Sequence, residues 1–249
     1  MPPLPAPLAA AFLSRTSGGP KKERTKSQLL HAAVRVFVER GIDAATMQEV
    51  AQAAGVSTAT LYNHFASKDE LLQRLASTLA GTLCAAIDES YSHVTDGAER
   101  MAIGQRRYIG LAEESPAWTL LLLDVMLVVP SVLALIERYP LADLRIGVRQ
   151  KKFQVPSEAA ALDAITGICS NAMRRVALGL APANHDVACA SLVLRALGVP
   201  PEEASAVARR PLPPLKAHEP AASAPKSRGA ADPNGRRIAS VAKTRSATP

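Results

Sequence analysis

The stretch that most constrains this chain is residues 46–65, TMQEVAQAAGVSTATLYNHF. Thr46 stands where a helix N-cap belongs, and Glu49, three residues on, is placed to accept from the Thr46 amide, a capping box. Met47, Val50, Ala51 and Ala54 follow at i, i+3, i+4 and i+7, so a first short helix has one apolar face. Gly55 comes just after the last periodic residue, where a positive φ ends a helix most easily. Ser57 is placed to cap a second short helix in which only Leu61 and Phe65, four apart, are strongly apolar. Thr58, Thr60, Tyr62, Asn63 and His64 are left for solvent or a ligand. Burying one stripe while displaying hydroxyls, an amide and an imidazole outward is what reading a DNA major groove requires. The same pattern also fits a helix pair in an all-α core with a polar outer face.

Extended to residues 32–72, AAVRVFVERGIDAATMQEVAQAAGVSTATLYNHFASKDELL, the sequence resembles the DNA-binding domain of the tetracycline-repressor (TetR) family of bacterial transcriptional regulators. The resemblance implies an all-α chain, with an N-terminal three-helix helix-turn-helix domain and a larger helical domain for ligand binding and dimerisation. It also implies site roles, residue by residue. Thr58 and Ala59 would face base edges, Ala59 through its methyl group alone, and Gln48 would reach a base or a phosphate. Thr46, Thr60, Tyr62, His64 and Lys68 would hold the DNA backbone. Ser57 and Asn63 belong to the same face without an assigned partner. No Arg or Lys lies in the second short helix, so it has no bidentate contact to guanine. Specificity would then rest more on Gln48, apolar contact, water and DNA shape. The implied partners are a double-stranded DNA operator, a second copy of the chain, and an unknown small-molecule effector.

Over the whole chain the hydrophobic share is 48% but aromatics are only 4%, with Ala and Leu abundant, which favours helices over sheets. A capping box at Thr25 and Gln28 predicts the start of a first helix that ends near Gly41. Ser67 opens a long helix with Leu71, Leu75, Leu79 and Leu83 on one stripe, running through Ile87 towards Tyr91. Asp96 and Glu99 mark a further start, and Ser115 with Pro116 another. Pro130 and Pro140 bracket a short helix, followed by one from Leu141 to Phe153. Leu162, Ile165, Cys169, Ala172 and Val176 step 3-4-3-4, and Val187, Ala190, Leu194 and Leu197 step 3-4-3. Two such seams suit an antiparallel pair that meets its counterpart in a four-helix bundle. They occupy the position of the family's usual dimer interface; the alternative is that both face the chain's own core. Met101, Tyr108, Trp118, Asp124 and Met126 are candidate lining residues of an effector pocket, or else ordinary core.

The expected organisation is an unstructured extension over 1–22, the DNA-binding domain over 23–83, the ligand and dimer domain over 84–199, and a disordered basic tail over 200–249. The formal charge of +7 lies in the flanks: residues 29–200 hold fifteen basic and seventeen acidic side chains. Such flanks add sequence-independent attraction to phosphate, or are simply solvated. Three scattered cysteines have no metal-ligand spacing, so neither a metal nor a disulfide framework is expected, and no cofactor. No apolar run reaches bilayer length, and the N-terminus makes a poor secretory signal, so a cytoplasmic location is expected. There is no glycine-rich phosphate loop, and the five histidines lie in separate segments, which argues against an enzyme. The expected function is a homodimeric, ligand-responsive repressor of a near-palindromic operator. An architectural or adaptor DNA-binding protein without an effector is the alternative.

Overall fold

A computed structural model describes residues 20–214; the expected extension up to residue 19 and tail from residue 215 lie outside the described residues. Within them the regular structure is ten α-helices: α1 Lys21–Arg40, α2 Met47–Ala53, α3 Thr58–Tyr62, α4 Lys68–Ser90, α5 Gly97–Glu114, α6 Pro116–Val128, α7 Pro130–Arg149, α8 Glu158–Ala177, α9 His185–Ala196 and α10 Pro201–Ala208. No single described helix is long and apolar enough to cross a membrane.

The predicted caps form at several of these starts. Thr46, Ser57, Ser67 and Asp96 each accept backbone amides in the first turn of α2, α3, α4 and α5; Ser157, not foreseen, does the same for α8, whereas Ser115 makes no side-chain cap bond at the start of α6. The first helix departs from expectation. It begins four residues before Thr25, with Pro20 at its N-cap, and the Thr25 hydroxyl donates back to the Lys21 carbonyl at 3.0 Å instead of capping. Lys21 and Lys22, assigned to the extension, are therefore helical.

The α4 helix has 23 residues and so spans about 34 Å. Its stripe Leu71, Leu75, Leu79, Leu83 is buried in one continuous apolar cluster that reaches from Leu29 and Phe37 of α1 to Trp118 of α6 and Met173 of α8. The DNA-binding unit and the C-terminal domain thus share a core, which does not break at residue 83. A second cluster holds the far end together, where α5 packs against α8, α9 and α10.

Three prolines, Pro140, Pro200 and Pro201, end no helix. Pro140 lies inside α7 and does not end it. Its ring fixes a helical φ and removes one amide, so the ladder loses a bond without losing the helix. Pro200 and Pro201 stop nothing either. They sit at the N-cap and first turn of α10, where no intrahelical amide bond is needed, and Ala204, Val207 and Ala208 are buried below them. The expected tail thus starts too early. Residues 209–214 continue along α5, where Arg106 donates to the Arg210 carbonyl at 2.6 Å and Arg107 to the Pro213 carbonyl.

At the crossing of α5 and α7 the backbones touch. A Cβ on Gly97 would lie 2.5 Å from the Gly147 nitrogen, and one on Gly147 would fall on the Phe153 ring. Glycine at 97 lets the two helices approach this closely, and glycine at 147 makes room for the Phe153 ring.

Candidate nucleic-acid interface and internal cavity

The α2–α3 unit is built from local bonds. Thr46 N–H donates to Glu49 Oε2 at 2.9 Å and Glu49 N–H donates to Thr46 Oγ1 at 3.2 Å, which closes the capping box. The Thr46 hydroxyl proton also goes to Glu49, at 2.9 Å. Bonds from the Thr46 amide and then its hydroxyl hold the Glu49 carboxyl below its ordinary range. Gly55 turns the chain at φ 69°, a conformation that few other residues adopt without strain. Ser57 Oγ accepts the Thr60 amide at 3.1 Å and lies 2.8 Å from the Thr60 hydroxyl. Leu61 and Phe65 are fully buried in the cluster that holds Phe37, and they anchor α3 from below.

What remains outward is the polar face. Gln48, Ser57, Ala59, Tyr62 and Asn63 are exposed, Tyr62 at 50%, while Thr58, Thr60 and His64 are half-buried. Lys68 donates one ammonium proton to the Asp43 carbonyl at 2.9 Å, tying the start of α4 to the α1–α2 loop. Two protons of that ammonium group are left. Arg40 reaches Glu49 at 3.4 Å from the end of α1. The face therefore offers an amide, hydroxyls, a phenol and a cation over a rigid apolar base, the composition of a surface that meets phosphates and base edges.

The model of bacterial regulatory proteins of the tetR family matches residues 29–75, and that of the tetracyclin repressor-like C-terminal domain matches residues 96–210. The chain belongs to the TetR family. It is thereby a DNA-binding regulator of transcription. FasR, an HTH-type transcriptional activator of Mycolicibacterium smegmatis, is 34% identical over 119 residues, 47% of this chain and 54% of FasR. KstR2, an HTH-type transcriptional repressor of Mycobacterium tuberculosis, is 42% identical over 50 residues, 20% of this chain and 25% of KstR2. The chain thus spans about half, or less, of the length of these relatives. Among solved structures, RolR in complex with resorcinol superposes with a TM-score of 0.62 at 26% identity, covering 79% of this chain and 98% of RolR. FadR of Bacillus subtilis in complex with stearoyl-CoA gives 0.59 at 18% identity over 68% of this chain and 96% of FadR, a likeness of fold alone.

In this TetR chain the C-terminal domain holds a cavity of about 60 Å³ whose wall comes from α5, α6, α7, α8 and the end of α4. Of the candidate lining residues, Met101, Tyr108 and Met126 lie in its wall. Trp118 does not: it is buried in the core behind α6. Asp124 is on the surface, 3.7 Å from Arg174. The wall instead includes Gln105, Tyr91 and Asp143, which the sequence reading did not single out. Asp143 is only 3% exposed and accepts from Arg100 Nε at 2.5 Å and from the Tyr91 hydroxyl at 3.2 Å. Burial pushes its carboxyl up, against the pull of the Arg100 bond. The only hint in the sequence is a lone acid in the helical run Leu141–Leu144, four residues after Tyr139.

The two seams face mainly inward within the single chain. Ile165, Cys169, Ala172, Ala190, Leu194 and Leu197 are buried within the single chain, and Leu162, Val176 and Val187 are half-buried. The reason is that α9 packs on α5 as well as on α8, so its small-residue face is used inside the protomer. Ile165 and Cys169 line the cavity. The large apolar side chains facing outward here are Leu178, Leu180 and Leu192.

Proposed function

We propose that this TetR regulator is a homodimeric, effector-responsive repressor of a near-palindromic operator. Gln48, Thr58 and Ala59 read bases, and Thr46, Thr60, Tyr62, His64 and Lys68 hold the backbone. The observation that carries this reading is the exposed polar face of α3 above the buried pair Leu61 and Phe65. The Thr46 hydroxyl proton bonds Glu49 in the free chain, so donating to a phosphate oxygen requires that proton to turn away from Glu49. Dimerisation uses the outer sides of α8 and α9, around Leu178, Leu180 and Leu192, because the inner sides are occupied. Two α3 helices then lie one turn of DNA apart, about 34–36 Å. The cavity between α5 and α8 is the effector site, consistent with RolR having been solved with resorcinol and FadR with stearoyl-CoA.

Selection of bound sequences from a random DNA pool tests the whole reading. Two inverted half-sites, retained over non-specific DNA as salt rises, are the expected result. Binding that only tracks salt, or a species that stays single by light scattering with and without DNA, would sink it.

A further inference from the structure

We infer that the cavity selects a neutral single-ring compound bearing a hydroxyl group, which donates its proton to Gln105 Oε1, and that it rejects carboxylates and acyl thioesters. This rests on the effector-site reading above.

The first reason is an unpaired acceptor. Gln105 projects from α5 at 4% exposure, and its amide Nε2 donates to the Ile165 carbonyl at 3.1 Å. That carbonyl can only accept, so the amide cannot flip, and Oε1 is left buried in the cavity wall with no hydrogen-bond partner among the described residues. A buried acceptor without a donor is unfavourable until something supplies one. Tyr108 sets a second polar atom in the same wall: its hydroxyl is buried beside the Cys84 thiol and meets no oxygen or nitrogen partner.

The second reason is charge. Among the described residues the wall contains no Lys or Arg, and its one ionisable carboxyl is Asp143. An anionic ligand would therefore be desolvated without a counter-ion, facing an acid. An amine gains little either, because Asp143 Oδ1 is taken by Arg100 and Oδ2 by Tyr91.

The third reason is size. A cavity of about 60 Å³ is smaller than the ~150 Å³ void that holds benzene, and far below the roughly 300 Å³ at which drug-sized sites begin. Met101, Met126 and Met173 line it, and their unbranched chains repack at low cost. Room for one ring can come from those three side chains.

The test is isothermal titration calorimetry on the full chain with phenol, anisole and benzoate, three substituents on one ring, and with stearoyl-CoA. Phenol should bind at least tenfold more tightly than anisole, and benzoate and stearoyl-CoA should give no saturable heat. Gln105→Leu should weaken phenol about tenfold and leave anisole unchanged, with Tyr108→Phe as a second variant that keeps Gln105. The inference is overturned if phenol does not bind, if anisole matches it, or if benzoate or stearoyl-CoA binds more tightly. It is also overturned if a natively folded Gln105→Leu protein binds phenol unchanged. A gel shift on selected DNA without any compound reads the DNA-binding proposal separately, so failure of one is distinct from failure of the other.

Discussion

Arg100 donates Nε–H to Asp143 at 2.5 Å while its Nη2 reaches Asp88 at 2.9 Å, so one guanidinium joins α5 to both α7 and the last turn of α4. It also lies over the Tyr91 ring, 4.7 Å from the centroid, and donates to the Tyr91 and Val94 carbonyls. Removing one partner of so buried a pair leaves the other uncompensated. Arg100→Met or Asp143→Leu alone should each lower unfolding free energy by about 3 kcal/mol, whereas the double variant should recover much of that loss. Urea denaturation midpoints decide it. A double variant as unstable as the sum of the singles would mean that the pair is not coupled.

The division of the α3 face can be tested by a contrast. Tyr62→Ala should weaken binding to every DNA sequence by a similar factor and leave the salt dependence unchanged, because a neutral phenol displaces no counter-ion. Thr58→Ala should instead change preference at particular positions, by roughly 1–3 kcal/mol of discrimination. Binding to a panel of single-base operator variants, measured by fluorescence anisotropy, separates the two. Equal, position-independent losses would refute the assignment.

Glu49 links the face to pH. Its carboxyl is held below the ordinary 4.5 by the Thr46 amide first and the Thr46 hydroxyl second. A lowered acid contributes stability above its unfolded value and loses it as pH falls through the folded value. The wild type should therefore lose more stability between about pH 5 and pH 3 than Glu49→Gln, which keeps an acceptor but no titrating group. Parallel stability curves for the two proteins would contradict this.

The Gly97–Gly147 crossing predicts a steric failure. Gly97→Ala puts a methyl against backbone that has no rotamer to escape into, so the loss should be about 1–3 kcal/mol, by a downward shift of Tm. Gly110→Ala, on the same helix with open space around it, is the control and should be neutral or slightly stabilising. If both behave alike, the helices do not cross as closely as described.

All three cysteines are buried, and burial pushes the Cys84 thiol up to about 11 and the Cys169 thiol up to about 12. Below those values the thiol stays protonated and unreactive. At pH 8 a thiol reagent should label the native protein slowly and count three thiols after denaturation. A fast-reacting native thiol would contradict the burial.

The helix-turn-helix was legible because its signals are local. The Thr46 and Ser57 caps, the glycine turn and the Leu61–Phe65 pair all lie within twenty residues and need no knowledge of the rest of the fold. The seams of α8 and α9 were visible as periodicities, but a stripe of small residues looks the same whether it faces α5 or a second chain. Pro140 and Pro200 read as stops because sequence shows that a proline lacks an amide, not whether the amide was needed. Arg100 and Asp143 lie 43 residues apart, and only the α5–α7 crossing brings them together. Gln105 looked like any polar residue on a surface helix.

The unbroken α4 makes the molecule mechanically sensitive. A straight rod of about 34 Å tilted by some 5° about its Asp88 end carries its Lys68 end about 3 Å sideways. That is close to the ~3.4 Å rise of one nucleotide along a DNA strand. A tilt of that size would move α3 by about one nucleotide along the groove.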